Sequence, residues 1–193
     1  TLFSQVEKFD WSISLEDSDA VAVSRMRLKK SILIFDNDLK YKIHDGVIQH
    51  LENYVKLFAN HLIFPKAAED VFRSHSSRKN IHTFDGYKED IYLADYKPDP
   101  TVKEQIPFDH FVVIRPEALS SFYVHGKTSL VPALLFFFEM NKIPVVYLPR
   151  ESIDKELANG FDVYIPKVPL NGLDLCYYSD AVLTGSGTMA REA

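Results

Sequence analysis

The sequence is poor in the residues that staple a chain, anchor it in a bilayer or coat it for nucleic acid. Cys176 is the single cysteine in 193 residues, so no internal disulfide can form. A reducing, cytoplasmic setting is therefore the simplest expectation. Its neighbours Leu175, Tyr177 and Tyr178 read as core. The greasiest stretch, Leu130 to Met140, is about half the roughly 20 residues a transmembrane helix needs. It also contains Pro132 and Glu139, so the expectation is a buried helix and no membrane span. The opening "TLFSQVEKFDW" has neither the basic start nor the long apolar run of a secretory signal. Basic residues are in deficit, 22 Lys and Arg against 27 Asp and Glu for a net charge of -5, which argues against a broad nucleic-acid surface. The seven histidines are scattered without a His-x3-His spacing, and with one cysteine they give no zinc set, so no metal site is expected.

What is present is ordinary globular material, 46% hydrophobic and 25% charged, enough for real cores. From about residue 110 the chain alternates short apolar runs with helical stretches. "HFVVIRPE" reads as strand and "KTSLVPALLFFFEMNK" as helix, with Thr128 or Ser129 as its cap and Pro132 in its first turn. "IPVVYLPR" and "FDVYIP" read as strands, separated by the helix "ESIDKELANG". "NGLDLCYYS" is helical, "DAVLTG" is a fourth strand and "SGTMAREA" opens a fourth helix. Strands that are apolar throughout belong to parallel sheets covered on both faces, joined by right-handed crossovers.

The first half carries "WSISL", "SILIFD" and "HLIFP" as strands. Between them lie the helical stretches "DSDAVAVSRMRLKK" and "DGVIQHLENYVKLFANH", the latter with Val47, Leu51, Tyr54, Val55 and Phe58 at helical spacing. The polar, turn-rich stretch "SHSSRKNIHTFDGYKEDIYLADYKPDPTVKEQ", with Pro98 and Pro100 flanking Asp99, reads as the crossing between two α/β domains, 1–98 and 99–193.

Ligands of open α/β sheets gather beyond the C-terminal ends of the strands. The residues just after the apolar runs of the second half are Arg115-Pro116-Glu117, Pro149-Arg150-Glu151, Pro166-Lys167 and Gly185-Ser186-Gly187. Two arginines and a lysine would share one rim with a helix start free of bulky side chains. That combination points to a phosphate or diphosphate. A Gly-Ser-Gly turn alone is a weak motif, without the spacing of dinucleotide or P-loop sites, and the arginines read equally well as surface residues at strand ends. It is the joint placement that gives the reading its force. In the first half, Asp36-Asn37-Asp38 follows a strand and reads either as a cleft-facing carboxylate or as a cap of the next turn.

These residues carry a resemblance. "FVVIRPEA", "VVYLPRES", the stretch from "DGV" to "LIFP" and above all "YYSDAVLTGSGTMAREA" resemble an uncharacterised, largely archaeal family, a domain of unknown function within the GT-B superfamily. UDP-N-acetylglucosamine 2-epimerases and nucleotide-sugar glycosyltransferases are its relatives. The resemblance runs from about Trp11 to Ala193. It implies two Rossmann-like α/β domains of GT-B type, both incomplete in this chain, with parallel sheets and helices on both faces. It also implies a diphosphate at Gly185, Ser186, Gly187 and Thr188, ribose hydroxyls at Glu192, and phosphate or base at Arg115 with help from Arg150. The epimerase His before Arg115 is absent, and Ala190 stands where the epimerases have Gln, which weighs against epimerase chemistry.

The implied activity is a metal-independent glycosyltransferase with a UDP-sugar as substrate and no cofactor, Asp36 being the catalytic candidate. The alternatives are an epimerase-like enzyme and a non-catalytic nucleotide- or sugar-binding protein. Partners would be a nucleotide-sugar donor and an acceptor the sequence does not disclose, with a homodimer as a possible assembly.

Overall fold

The computed structural model describes residues 8–36, 41, 46–75, 80–119 and 128–193. The chain divides into two compact units, Thr1–Asp90 and Ile91–Ala193. The division falls before Pro98 because the Tyr96 hydroxyl and the Asp99 amide both donate to the buried Asp174 carboxylate of the second unit.

The first unit is a four-stranded parallel sheet in the order β1-β2-β3-β4, formed by Trp11–Leu15, Lys30–Ile34, His61–Pro65 and Ile81–Phe84. Helix α1 (Ser18–Met26) is started by Asp17, whose carboxylate accepts from the Asp19 amide at 2.8 Å, an N-cap of the ordinary kind. Helices α2 (Val47–Lys56) and α3 (Glu69–His75) follow β2 and β3. Each crossover steps one strand further in the same direction. Right-handed connections then put every helix on the same face of the sheet. On that face Leu33, Leu62 and Phe64 pack with Val21 and Phe72 in one buried cluster.

The other face is bare among the described residues. The register pairs Ile13 with Ile32 and Leu15 with Ile34, and none of these enters the buried cluster. Ile13 remains 68% exposed. The expectation for both domains is helices on both faces; in the first unit the monotonic strand order carries the described helices onto one face.

Helix α2 brings a correction. Its apolar stripe, Val47, Leu51 and Tyr54, is exposed, while Asn53 and Lys56 are buried. Lys56 Nζ is held by Glu52 Oε1 at 2.7 Å, and the backbone carbonyl of Asn53 accepts from the Tyr41 hydroxyl at 3.2 Å. Strand β4 lies inside the stretch read as polar crossing.

The second unit is a three-stranded parallel sheet in the order β6-β5-β7, formed by Val145–Tyr147, Val112–Arg115 and Ala181–Thr184. Here the chain steps from β5 to β6 and then back across β5 to β7. The reversal puts the crossovers on opposite faces. Val112, Ile114, Val145 and Tyr147 meet α5 (Val131–Met140) on one face. Val113 and Val146 pack on the other with Leu175 of α7 (Gly172–Tyr178) and Met189 of α8 (Gly187–Glu192). Short helices precede and follow: α4 (Asp90–Leu93) before β5, and α6 (Ser152–Glu156) after β6.

Helix α5 is half of what was expected. Val131, Leu135 and Phe138 are buried, but Phe136 and Phe137 are more than half exposed, since one face of one helix is all a sheet can cover. The strand expected over 161–166 is reduced to a single bridge between Val146 and Tyr164. Pro166 has no amide to extend it.

Candidate functional site

The reversal of strand order in the second unit marks the place where loops diverge and a crevice opens beyond the strand ends. That place lies between β5 and β7; a cleft of about 380 Å³ lies one strand over, beyond the ends of β5 and β6, lined by Arg115 from the end of β5, Tyr147 to Arg150 from β6 and its loop, Lys155 from α6, and Ile165 to Leu170. Four of the lining residues are cationic, Arg115, Arg150, Lys155 and Lys167, and none is acidic. The structure thus brings together three of the strand-end cations read from the sequence and adds Lys155. That lysine was missed because it lies inside a helix rather than after an apolar run.

Each wall of the cleft is fixed by local chemistry. Tyr147 is fully buried, and its hydroxyl donates to the Asp154 carbonyl at 2.6 Å. Burial first, and then the charges of Asp154 and Glu117, push its phenol well above the ordinary tyrosine range, so it stays a neutral donor. The Asp154 carboxylate accepts from the Arg150 and Glu151 amides at 2.8 and 3.2 Å, which closes a capping box at the start of α6. The Arg150 guanidinium donates to the Pro116 carbonyl, tying the β6 loop to the β5 loop.

Glu117 organises the loop after β5. It accepts from the Ser129 hydroxyl at 2.8 Å and the Leu130 amide at 3.1 Å, and Ser129 Oγ in turn takes the Val131 amide at the start of α5. Burial alone would raise its carboxyl. The backbone amide of Glu117, the Ser129 and Leu130 donors and the charge of Arg150 outweigh it and hold the group below its ordinary value. Arg115 is different. Its Nε is buried with no hydrogen-bond partner among the described residues, a polar group whose burial is uncompensated.

The small-residue turn after β7 sits against this loop. The Gly185 amide donates to the Arg115 carbonyl at 3.1 Å. A Cβ on Gly185 would stand 2.5 Å from the Glu117 Cα, so glycine is required there by the neighbouring backbone. Ser186 takes the N-cap position of α8 without a side-chain cap bond, and its amide is engaged by Thr184 Oγ1 at 2.9 Å. A Cβ on Gly187 would meet only the mobile end of Arg191. Gly185, Ser186, Gly187 and Thr188 are not in the lining of the cleft; Gly185 adjoins it through Arg115.

Glu192, the expected ribose ligand, accepts from the Tyr92 hydroxyl at 2.7 Å. Its charge, behind burial as the larger cause, raises the thiol of Cys176, which fits a core cysteine rather than a nucleophile. In the first unit Asp36 Oδ2 lies 2.8 Å from Lys88 Nζ, and Lys88 also approaches the fully buried Glu89 at 3.7 Å. Asn37 and Asp38 lie outside the described residues.

An α/β fold with parallel sheets and a cationic cleft beyond the strand ends is the class this geometry defines. Residues 43–193 match the family described as protein of unknown function (DUF354), and the chain belongs to that family. It is also similar to the uncharacterized protein MJ0665 of Methanocaldococcus jannaschii, 26% identical over 157 residues, which cover 75% of this chain and 46% of the relative. The chain thus spans about half the length of that curated relative.

Proposed function

We propose that this chain carries the donor-binding part of a GT-B-type, metal-independent nucleotide-sugar enzyme, a glycosyltransferase using a UDP-linked donor. The observation that carries the reading is the cleft at the ends of β5 and β6, with four cations and no carboxylate in its lining. The diphosphate of a nucleotide sugar meets Arg115 and Arg150 there. The neighbouring turn at Gly185 to Thr188 offers the backbone approach, and Glu192 exchanges its Tyr92 hydroxyl for those of ribose. In transfer, the sugar C1–O bond breaks and its electron pair passes to the diphosphate, while the acceptor oxygen bonds to C1 and its proton passes to the departing diphosphate or to water. Fixed cations at the departing oxygen stabilise that charge development. Loss of one charged hydrogen-bonding partner is worth about 1.5–3 kcal/mol, or roughly ten- to a hundredfold in affinity.

Calorimetric titration with UDP and UDP-N-acetylglucosamine tests the proposal. Saturable binding, weakened by Arg115→Ala and by Glu192→Ala, is the expected result. No binding at millimolar ligand would reject it. One observation favours binding without turnover: Asp36, the catalytic candidate, is engaged by Lys88 at 2.8 Å. Release of UDP in the absence of an acceptor, its release only with an acceptor, or no release at all separates an epimerase-like hydrolysis, transfer and simple binding.

A further inference from the structure

The cleft holds more positive charge than a diphosphate diester needs. Such a diester carries two negative charges. Of the four lining cations, Arg150 is partly compensated, since it donates to the Pro116 carbonyl and its charge acts on Glu117. Arg115, Lys155 and Lys167 have no ion pair among the described residues. Arg115 is half-buried, and Lys155 and Lys167 stand exposed at the cleft, so three cations without an ion pair are available to an anionic occupant.

The wall chemistry narrows the means of recognition. Pro149, Pro166 and Pro169 all line the cleft, and proline offers no backbone amide. At those three positions a negative group is met by side chains rather than by the backbone. Lys155 from α6 and Lys167 from the loop after Tyr164 supply compact point charges. Such charges suit a terminal carboxylate or phosphate, which does not demand the fork geometry of arginine.

We propose that the cleft takes a ligand bearing an anionic group beyond the diphosphate, and that Lys155 and Lys167 receive it. The inference rests on the sugar-nucleotide reading above. The extra charge has two chemical sources, an acidic sugar on the donor or a phosphorylated acceptor, and two arms of one experiment tell them apart.

The full chain is titrated at low salt with UDP-glucose and UDP-glucuronate, which differ by one carboxylate. The UDP-saturated protein is then titrated with glucose and glucose 6-phosphate. The charged member of at least one pair is expected to bind about tenfold more tightly or better, as a charge-assisted contact implies. Lys155→Gln and Lys167→Gln together should bring the charged and neutral members of the pair to equal affinity, whatever UDP affinity is lost alongside, and Lys155→Arg with Lys167→Arg should restore the preference. Equal binding within both pairs, with UDP still bound, overturns the inference and leaves the reading of the site standing. So does a preference that survives the double Gln variant. Failure of UDP itself to bind removes both.

Discussion

The two sheets of this chain are built from the same kind of strand and end in different surroundings. Both are wholly parallel, with β-branched and aliphatic residues running through their centres. The second is buried on both faces. The first buries Leu33, Leu62 and Phe64 on one face and leaves Trp11, Ile13 and Leu15 exposed on the other. The difference follows from the order in which strands are laid down. Steps in one direction stack all right-handed crossovers on one side, and a reversal distributes them to both. The cationic cleft of the second unit lies one strand from that reversal, at the ends of β5 and β6. The lesson is that an apolar strand specifies pairing, while topology specifies how many of its faces find cover.

The largest expected effect contrasts the two faces of the first sheet. Phe64 is fully buried, with its ring 4.5 Å from that of Phe72, so Phe64→Ala should cost about 3–5 kcal/mol in denaturant unfolding. Ile13→Ala, on the bare face, should change stability by less than about 0.5 kcal/mol. Equal costs would show that the bare face is covered in solution.

The next contrast is between glycines of the second unit. Gly185→Ala forces a Cβ against the Glu117 backbone and should destabilise by about 1–3 kcal/mol. Gly172→Ala, where a Cβ meets nothing within 4 Å, should be neutral or stabilising by up to about 1 kcal/mol. Chemical denaturation of both variants reads the comparison.

The smallest effect is a pH dependence confined to the second unit. The Glu117 carboxyl is held below its ordinary value of 4.5 in the folded state, so the folded protein binds that proton less readily than the unfolded chain. Its stabilisation is fully present above the unfolded value and is lost as pH falls through the folded one. Glu117→Gln should therefore flatten the acid limb of a stability–pH profile below about pH 4.5. An unchanged limb would place the titration elsewhere.

Much of the fold was legible because short apolar runs and caps are local signals. "SILI", "HLIFP", "VVI" and "AVLT" became strands, and the helical stretch from Asp17 formed with Asp17 as its cap. Strand β4 was not legible, because "IHTF" places His82 and Thr83 in a polar neighbourhood and pairs only at the sheet edge. The orientation of α2 was hidden for a different reason. Periodicity identifies an apolar stripe but not whether a neighbour exists to cover it. At the site, Arg115, Arg150 and Lys167 could be read as residues following apolar runs. Lys155 could not, nor could the role of Glu117 as the anchor of the β5 loop, since both depend on contacts between segments far apart in the chain. Gly185 was read as room for a phosphate. The structure gives it a nearer reason, the backbone of Glu117.

A crystal structure of the chain grown with UDP tests the central claim most directly. The account expects diphosphate density at the ends of β5 and β6, within hydrogen-bonding reach of the Arg115 and Arg150 guanidiniums. Nucleotide density elsewhere, or a cleft that stays free of it at saturating UDP, would contradict it.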